Sequence, residues 1–236
     1  MSSKRTMVNA EEHLVGHYEA LGDFKSDFRN YNLFGLVAGL VTGKKVLDIG
    51  CGVGNFLSVL RSQGPDVVGV EPSDGMRELA AKINPEITIF KDLNMIRDVF
   101  DTVTMLDVLE HIEDDRKQMQ EVYSMLNNGG QFVIVVPAHP ILYGKRDKEM
   151  GHFRRYTRES LTKVLTDNGF EVRLIRSWNA LGFMPYLISE KVLKKSLESK
   201  MRRKKNKLMN FWFEKIENNF DFGFGLSIIC VAKKNG

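Results

Sequence analysis

The chain has 236 residues, 43% of them apolar and 27% charged, with a formal net charge of +4. That length fits one large domain, or one domain with an elaboration, and the composition suits a globular protein with a sizeable core. Cys51 and Cys230 lie far apart without metal-ligand spacing, which argues against a disulfide framework and for a reducing cytoplasm. The first residues hold no apolar core of signal-peptide length, and no run of about 18 apolar residues is available to span a membrane. Between Lys191 and Lys207 nine residues are Lys or Arg and only Glu198 is acidic. The rest of the chain is therefore mildly acidic, and the basic excess needs a local explanation.

In chain order, residues 10–40 read as helical, with an apolar stripe through Leu14, Leu21, Phe24, Phe28, Leu33, Phe34 and Val37. "KKVLDIG" is a short buried strand, and "NFLSVLRSQG" a helix stopped by Gly64. "DVVGVEPS" is a second strand, after which Ser73 caps a helix over "DGMRELAAKI". "ITIFKD" is a third strand and "FDTVTMLDVLEH" holds a fourth. "EDDRKQMQEVYSML" is a helix with acids in its first turn, as the dipole favours, ended by "NNGG". "QFVIVVPA" is a fifth strand, apolar enough to be buried on both faces. "TRESLTKVLTDNG" is a helix with Thr157 as N-cap and Gly169 as stop. "FEVRLIRSW" and "GLSIICVAKK" are two final strands, separated by an insertion from Asn179 to Gly223 that reads as helical. The alternation of strands and helices predicts an α/β fold around a mostly parallel, doubly wound sheet.

The glycine loop "VLDIGCGVGNF" follows the first strand. A dinucleotide fingerprint needs G-x-G-x-x-G, but Asn55 stands at the third glycine position, and starting from Gly52 puts Leu57 at the last. No G-x-x-x-x-G-K-[ST] phosphate loop is present either. Asp48 precedes the glycines; an acid there repels a pyrophosphate and suits a positively charged ligand.

The loop resembles the first motif of the class I S-adenosylmethionine-dependent methyltransferases, and four further stretches follow in that family's order. Glu71 ends the second strand about 21 residues after Gly50, the spacing at which an acid can take ribose hydroxyls. "KDL", "MLDVLEHIEDD" and "LNNGGQFVIVVP" complete the set. The resemblance implies a Rossmann-like, seven-stranded, mostly parallel sheet with N-terminal helices and a helical insertion before the last strand. It implies one methyltransferase domain: a lid over 1–42, a cofactor core over 43–178, an insertion over 179–222 and a last strand over 223–236.

It also implies S-adenosylmethionine as cofactor, S-adenosylhomocysteine as product, and a set of binding residues. Asp48 orders the loop and faces the methionine amino group. Gly50, Cys51 and Gly52 line the methionine and ribose, and Glu71 binds the ribose. Pro72, Ser73 and Met76 flank the adenine, and Asp92 and Leu93 meet its edge. Asp107, Val108 and His111 line the sulfonium side, and Arg29 meets the methionine carboxylate. Plainer readings stand beside these. Cys51 is a small wall residue rather than a nucleophile, Gly54 and Val53 serve helix packing, Met76 is core, His111 caps a helix or acts as a base, and Arg29 forms a surface ion pair.

For the acceptor, "VPAHPILYGKRDKEMGHFRRYTRESL" places His139, Tyr143, Asp147, His152, Arg154, Arg155 and Tyr156 in one loop. Loops on rigid sheets carry function disproportionately. His139, His152 and Tyr156 are the catalytic candidates, since an imidazole titrates near neutrality. The pattern is similar to a subgroup of small-molecule methyltransferases, which implies an acceptor that is a small molecule or a sugar- or lipid-linked biosynthetic intermediate, methylated on O or N. Arg154 and Arg155 either bind an acidic acceptor or pair with a loop acid such as Asp147 or Glu149. Neither the amino-methyltransferase N-P-P-[YF] motif nor a catechol-type set of metal-binding acids is present, so a nucleic-acid base and a metal are not expected. The basic insertion reads as a solvated lid, or as a peripheral membrane contact through 190–213, where Phe211, Trp212 and Phe213 follow the basic run. An RNA or protein methyltransferase docking through that insertion, and a cofactor-binding regulatory protein without transfer activity, are the rival readings. The oligomeric state is open.

Overall fold

A computed structural model describes residues 27–188 and 207–235. Helix α1 (Phe28–Ala38) starts at Asp27, whose carboxylate accepts from the backbone N–H groups of Arg29 and Asn30. Strand β1 (Lys45–Ile49) then leads through the glycine loop into α2 (Asn55–Ser62). Next come β2 (Asp66–Val70), α3 (Asp74–Ile83), β3 (Thr88–Phe90) and β4 (Phe100–Leu106). Helix α4 (Asp115–Met125) runs into β5 (Leu126–Pro137). A short α5 (Lys145–Glu149) and α6 (Arg158–Asp167) precede β6 (Phe170–Trp178). Helix α7 (Ala180–Leu187), α8 (Lys207–Trp212) and a π turn (Phe213–Glu217) precede β7 (Ser227–Lys234).

The seven strands form one sheet in the order β3-β2-β1-β4-β5-β7-β6. All neighbours are parallel except β7, which runs antiparallel between β5 and β6. The carboxyl ends of β1, β2, β4, β5 and β6 therefore share one edge. The strand order reverses between β1 and β4, where ligands of open α/β sheets bind.

Alternation along the strands divides the core in two. Leu47, Ile49, Phe132, Ile134 and Val136 face the layer holding Met119 and Val122 of α4 and Leu161 and Leu165 of α6. Val46, Val133 and Val135 face Leu33 and Val37 of α1 and Leu57 and Leu60 of α2. Both faces of β5 are thus buried, as its apolar run predicts.

The helix caps at Ser73 and Thr157 form as expected, accepting from the N–H groups of Met76 and Ser160. The end of α4 differs. "NNGG" is not a turn before the strand but a bulge inside it. β5 begins at Leu126, pairs with Phe100, and shifts register before Thr102 meets Gln131. Gly130 makes this possible, because a Cβ there would lie 2.8 Å from the Asn127 carbonyl oxygen and 3.2 Å from those of Asp101 and Phe100.

The described return leg of the insertion packs over α1 and the end of β6. The Phe213 ring lies 5.9 Å from Phe28 and 5.1 Å from Trp178. Glu217 is buried and accepts from the Ala180 N–H and the Trp212 indole N–H, which closes this segment onto α7. Among the described residues no helix is long and apolar enough to cross a membrane. The helical reading of residues 10–26 and most of the basic run, residues 191–206, lie outside the described residues.

Candidate active site

The end of β1 and the start of α2 are held open by backbone conformations that favour glycine. Gly50 has φ of +70°, and a Cβ on it would lie 2.5 Å from a methyl of Val108, so the two chain turns meet without a gap. Gly52, at φ of +55°, has nothing within 4 Å of where a Cβ would sit, which leaves room for a ligand to approach the backbone. Gly54 instead packs on Ala80 of α3 and on Asn84, the C-cap of that helix, the plainer reading of that position.

Glu71 closes this loop from the end of β2. It is 6% exposed, and its two carboxylate oxygens accept from the N–H groups of Gly52 and Ser73, each at 2.9 Å. Bonds to both oxygens fix the orientation of the carboxylate at the mouth of the loop, and a carboxylate oxygen can accept more than one hydrogen bond. Asp48 lies buried behind the loop, accepting from the Thr104 hydroxyl at 2.6 Å. Burial pushes its pKa up to about 7, against the Thr104 bond and with help from the nearby negative charge of Glu71.

The other side of the site is built from strained strand ends. Asp107, His139 and Asn179 are the three non-glycine residues with positive φ among the described residues, at +54°, +61° and +66°. They follow the last residues of β4, β5 and β6 by one or two positions. Such strain persists where surrounding contacts over-determine it, and it concentrates at ligand sites. Here the contacts are specific. The Arg29 guanidinium pairs with Asp107 at 2.9 Å, sits 3.3 Å from the Ser227 hydroxyl, and lies 5.9 Å from the Trp178 ring centre. Arg29 is therefore not a surface ion pair; it joins α1, β4 and β7 at the strand ends.

Beyond Asp107 the chain turns through Leu109–His111, and this turn meets the loop after β5. The Phe153 N–H donates to the Glu110 carbonyl at 2.7 Å, which brings His152 against His111, ring centres 4.6 Å apart and edge to face. His152 Nδ1 is 3.0 Å from Asp147 Oδ1. Asp147 is nearly inaccessible and also accepts from Arg155 Nε at 2.8 Å and the Gly144 N–H at 2.9 Å. Burial opposes its charge, yet the bonds from His152 and Arg155 hold its pKa down at about 2. Arg155 in turn donates to the Tyr186 hydroxyl of α7 and lies 4.9 Å from that ring centre.

Glu110 is the residue that the sequence reading missed. Only 1% of it is exposed, and burial, then the nearby Asp107 charge, raises its pKa well above the ordinary carboxylate range. No periodic pattern marks a glutamate in a single turn as buried. His111 lies at the rim, exposed on its outer side; the protein around it, then His152, lowers its pKa to about 4.

Other candidates fall elsewhere. Tyr156 is a core residue whose phenol donates to Asp115 at 3.1 Å, and burial raises its pKa above the ordinary phenol value. That placement turns it from the acceptor side toward the start of α4. The His139 ring packs against Phe183 of α7 with ring centres 5.0 Å apart, and burial lowers its pKa. Arg154 pairs at 2.8 Å with Asp115 at the start of α4, and Arg155 pairs with the loop acid Asp147, so both guanidiniums are taken by acids of the chain itself. Cys51 is buried in the α1–α2 layer, and burial raises its thiol pKa, which disfavours the thiolate that a nucleophile needs. Met76 is half-buried beside the Ser73 cap, Pro72 is exposed, half-buried Leu93 packs against the core, and exposed Asp92 caps its own turn through the Asn94 N–H.

A family model described as a methyltransferase domain matches residues 23–175. The chain belongs to this methyltransferase family. It is a class I S-adenosylmethionine-dependent methyltransferase, with S-adenosylmethionine as the cofactor. Two similar proteins are ubiquinone biosynthesis O-methyltransferases of Pseudomonas fluorescens. One, from strain Pf0-1, is 30% identical over 113 residues, which are 44% of this methyltransferase and 49% of that protein. The other, from strain Pf-5, is 28% identical over 159 residues, 58% and 68% of the two chains. The chain thus spans about half the length of the first relative and about two thirds of the second. A solved S-adenosylmethionine-dependent methyltransferase from Thermotoga maritima, 19% identical, has the same fold at a TM-score of 0.64 over 96% of this chain and 99% of that one.

Proposed function

We propose that this methyltransferase moves a methyl group to an oxygen or nitrogen of a small-molecule biosynthetic intermediate, with a hydroxyl oxygen as the favoured acceptor. The observation that carries this reading is the cluster of Glu110, His111 and His152, backed by Asp147, at the end of β4 beside the cofactor side of the sheet. A hydroxyl must lose its proton as it accepts a methyl group, and this cluster is where the site's proton-handling groups converge. The names of the Pseudomonas relatives support O-methylation.

On this reading the cofactor supplies an electrophilic methyl on a sulfonium, and the chain supplies position and orientation. Glu71 holds the ribose, with Gly50, Cys51 and Gly52 beneath it, and Asp48 faces the positive end. Pro72, Ser73, Met76, Asp92 and Leu93 surround the adenine, while Asp107, Val108 and His111 bound the transferring group. Arg29, already neutralised by Asp107, orders the Asp107 turn and is available to a carboxylate. His152, oriented by Asp147, meets the acceptor. Residues 43–178 act as the cofactor core, with 1–42 and 179–222 closing over the acceptor. The exposed Leu208, Phe211 and Phe220 flank the insertion's return leg and support a peripheral membrane contact through 190–213. Flotation with anionic liposomes, with and without residues 190–213, tests that contact.

The functional reading is tested by incubating the enzyme with isotope-labelled S-adenosylmethionine and fractionated small-molecule extract. Label appearing in a low-mass, alkali-stable ether is expected. Label found only in RNA or protein overturns the small-molecule reading.

A further inference from the structure

We infer that Arg77 is a positioning residue for the cofactor's ribose: it holds the Glu71–Pro72 turn and so aims the Glu71 carboxylate. This rests on the reading of Glu71 as the ribose acid. Arg77 lies on α3, one turn after the Ser73 cap. Its Nη1 donates to the Glu71 carbonyl oxygen at 2.9 Å and to that of Pro72 at 3.3 Å. Pro72 has no N–H, so its carbonyl is the one backbone group by which that residue can be held.

With these bonds Glu71 is fixed at every polar atom. Its N–H donates to the Phe90 carbonyl at 2.9 Å, and its carbonyl accepts from Arg77. Its two carboxylate oxygens accept from the Gly52 and Ser73 N–H groups. Removing Arg77 frees the peptide between Glu71 and Pro72 to turn, and the aim of the carboxylate turns with it. An acid that is already aimed loses less freedom when a ligand binds, which is affinity gained without a contact to the ligand.

Arg77 is itself held in place. Its Nη2 pairs with Asp74, one turn earlier on the same helix. Asp74 also accepts from Lys91 Nζ, 3.0 Å and 3.3 Å from its two oxygens, and Lys91 directly follows β3. The bonds from Arg77, then those from Lys91, hold the Asp74 carboxyl below the usual carboxylate range. Asp74 and Lys91 are 64% and 57% exposed, so their pair adds little to folding stability. Its effect is to set the plane of the guanidinium. A guanidinium presents its N–H groups in one rigid plane, so Nη1 can serve two carbonyls while Nη2 holds a carboxylate. An ammonium keeps the charge but not this geometry.

Calorimetry with S-adenosylhomocysteine tests the assignment in wild type, Arg77→Met, Arg77→Lys, Asp74→Asn, Glu71→Ala and the combination of Arg77→Met with Glu71→Ala. Ligand-free denaturation midpoints verify that each variant folds. We expect Arg77→Met to bind about tenfold more weakly than wild type, with Arg77→Lys recovering part of the loss at about threefold. Asp74→Asn loosens Arg77 from an exposed position and is expected to cost about two- to threefold. The combined variant is expected within about twofold of Glu71→Ala alone, because a residue that acts through Glu71 then has nothing left to aim. A folded Arg77→Met that binds as tightly as wild type overturns the inference. So do losses that multiply in the combined variant, which mark Arg77 as acting independently of Glu71. If Arg77→Met does not fold, unchanged affinity in Asp74→Asn overturns it. Unchanged affinity in Glu71→Ala overturns the ribose reading itself, whereas a weakened Glu71→Ala beside an unchanged Arg77→Met overturns this inference alone.

Discussion

The two halves of the strand-end edge are built on different physics. On the β1–β2 side, the groups of the proposed cofactor site are backbone turns and one carboxylate, held within a turn or across one strand pair. Gly50 and Cys51 both donate to the Val70 carbonyl, and Glu71 accepts from Gly52 and Ser73. On the β4–β6 side, charged side chains from four separate stretches are buried against one another. Asp147, His152, Arg155 and Tyr186 form one such chain, and Asp107 with Arg29 another. On the proposed reading, the first half accepts the cofactor with little support beyond one strand pair. The second depends on every member being satisfied, which makes it sensitive to change and able to be specific.

The sharpest way to break that contrast is Asp147→Ala. It leaves Arg155 buried without its counter-charge and His152 without its orienting partner. A loss of about 3–5 kcal/mol in stability is expected, read from denaturant midpoints. An effect under about 1 kcal/mol would show that this half is no tighter than the other.

Glu71→Ala comes next. It should weaken cofactor binding by about 2–3 kcal/mol, roughly 30- to 150-fold, by calorimetry, because charge-assisted bonds are lost. Stability should change less than in Asp147→Ala.

A third test uses pH. The raised pKa of Asp48, about 7, means that the folded chain holds a proton there which the unfolded chain has already released. The stability contributed by this group is present below the ordinary carboxylate range and is lost as pH rises through about 7. Cofactor affinity should run the opposite way, since an ionised Asp48 favours the positive sulfonium. It should rise up to about tenfold per pH unit below 7 and then level off. Thr104, Glu71 and Cys51 are the groups facing Asp48, and only Asp48→Asn should flatten the profile.

The smallest effect belongs to Lys163→Ala, which removes an exposed pair with Asp167 at 3.1 Å, away from both halves. It should cost at most about 0.5 kcal/mol and leave transfer unchanged.

The amino-acid sequence by itself determined the parts of this protein whose causes are local. The apolar runs of β1 and β5, the caps at Ser73 and Thr157, the glycine loop and the acid at Glu71 all answer to neighbours within a turn or across one strand pair. Their local structure was readable from the sequence, and so was the α/β fold. Only the tertiary structure decided the rest. The placement of β7 between β5 and β6 follows from sheet pairing, not from any residue pattern in its run. Glu110 became buried because the His152 loop folds over a single turn that has no periodicity of its own. Tyr156 went to the core, and Arg155 to Asp147, because the loop after β5 chose among partners that its sequence left equivalent. Long-range contacts between irregular segments carry no sequence period, so the acceptor side could be named as a loop but not drawn as a site.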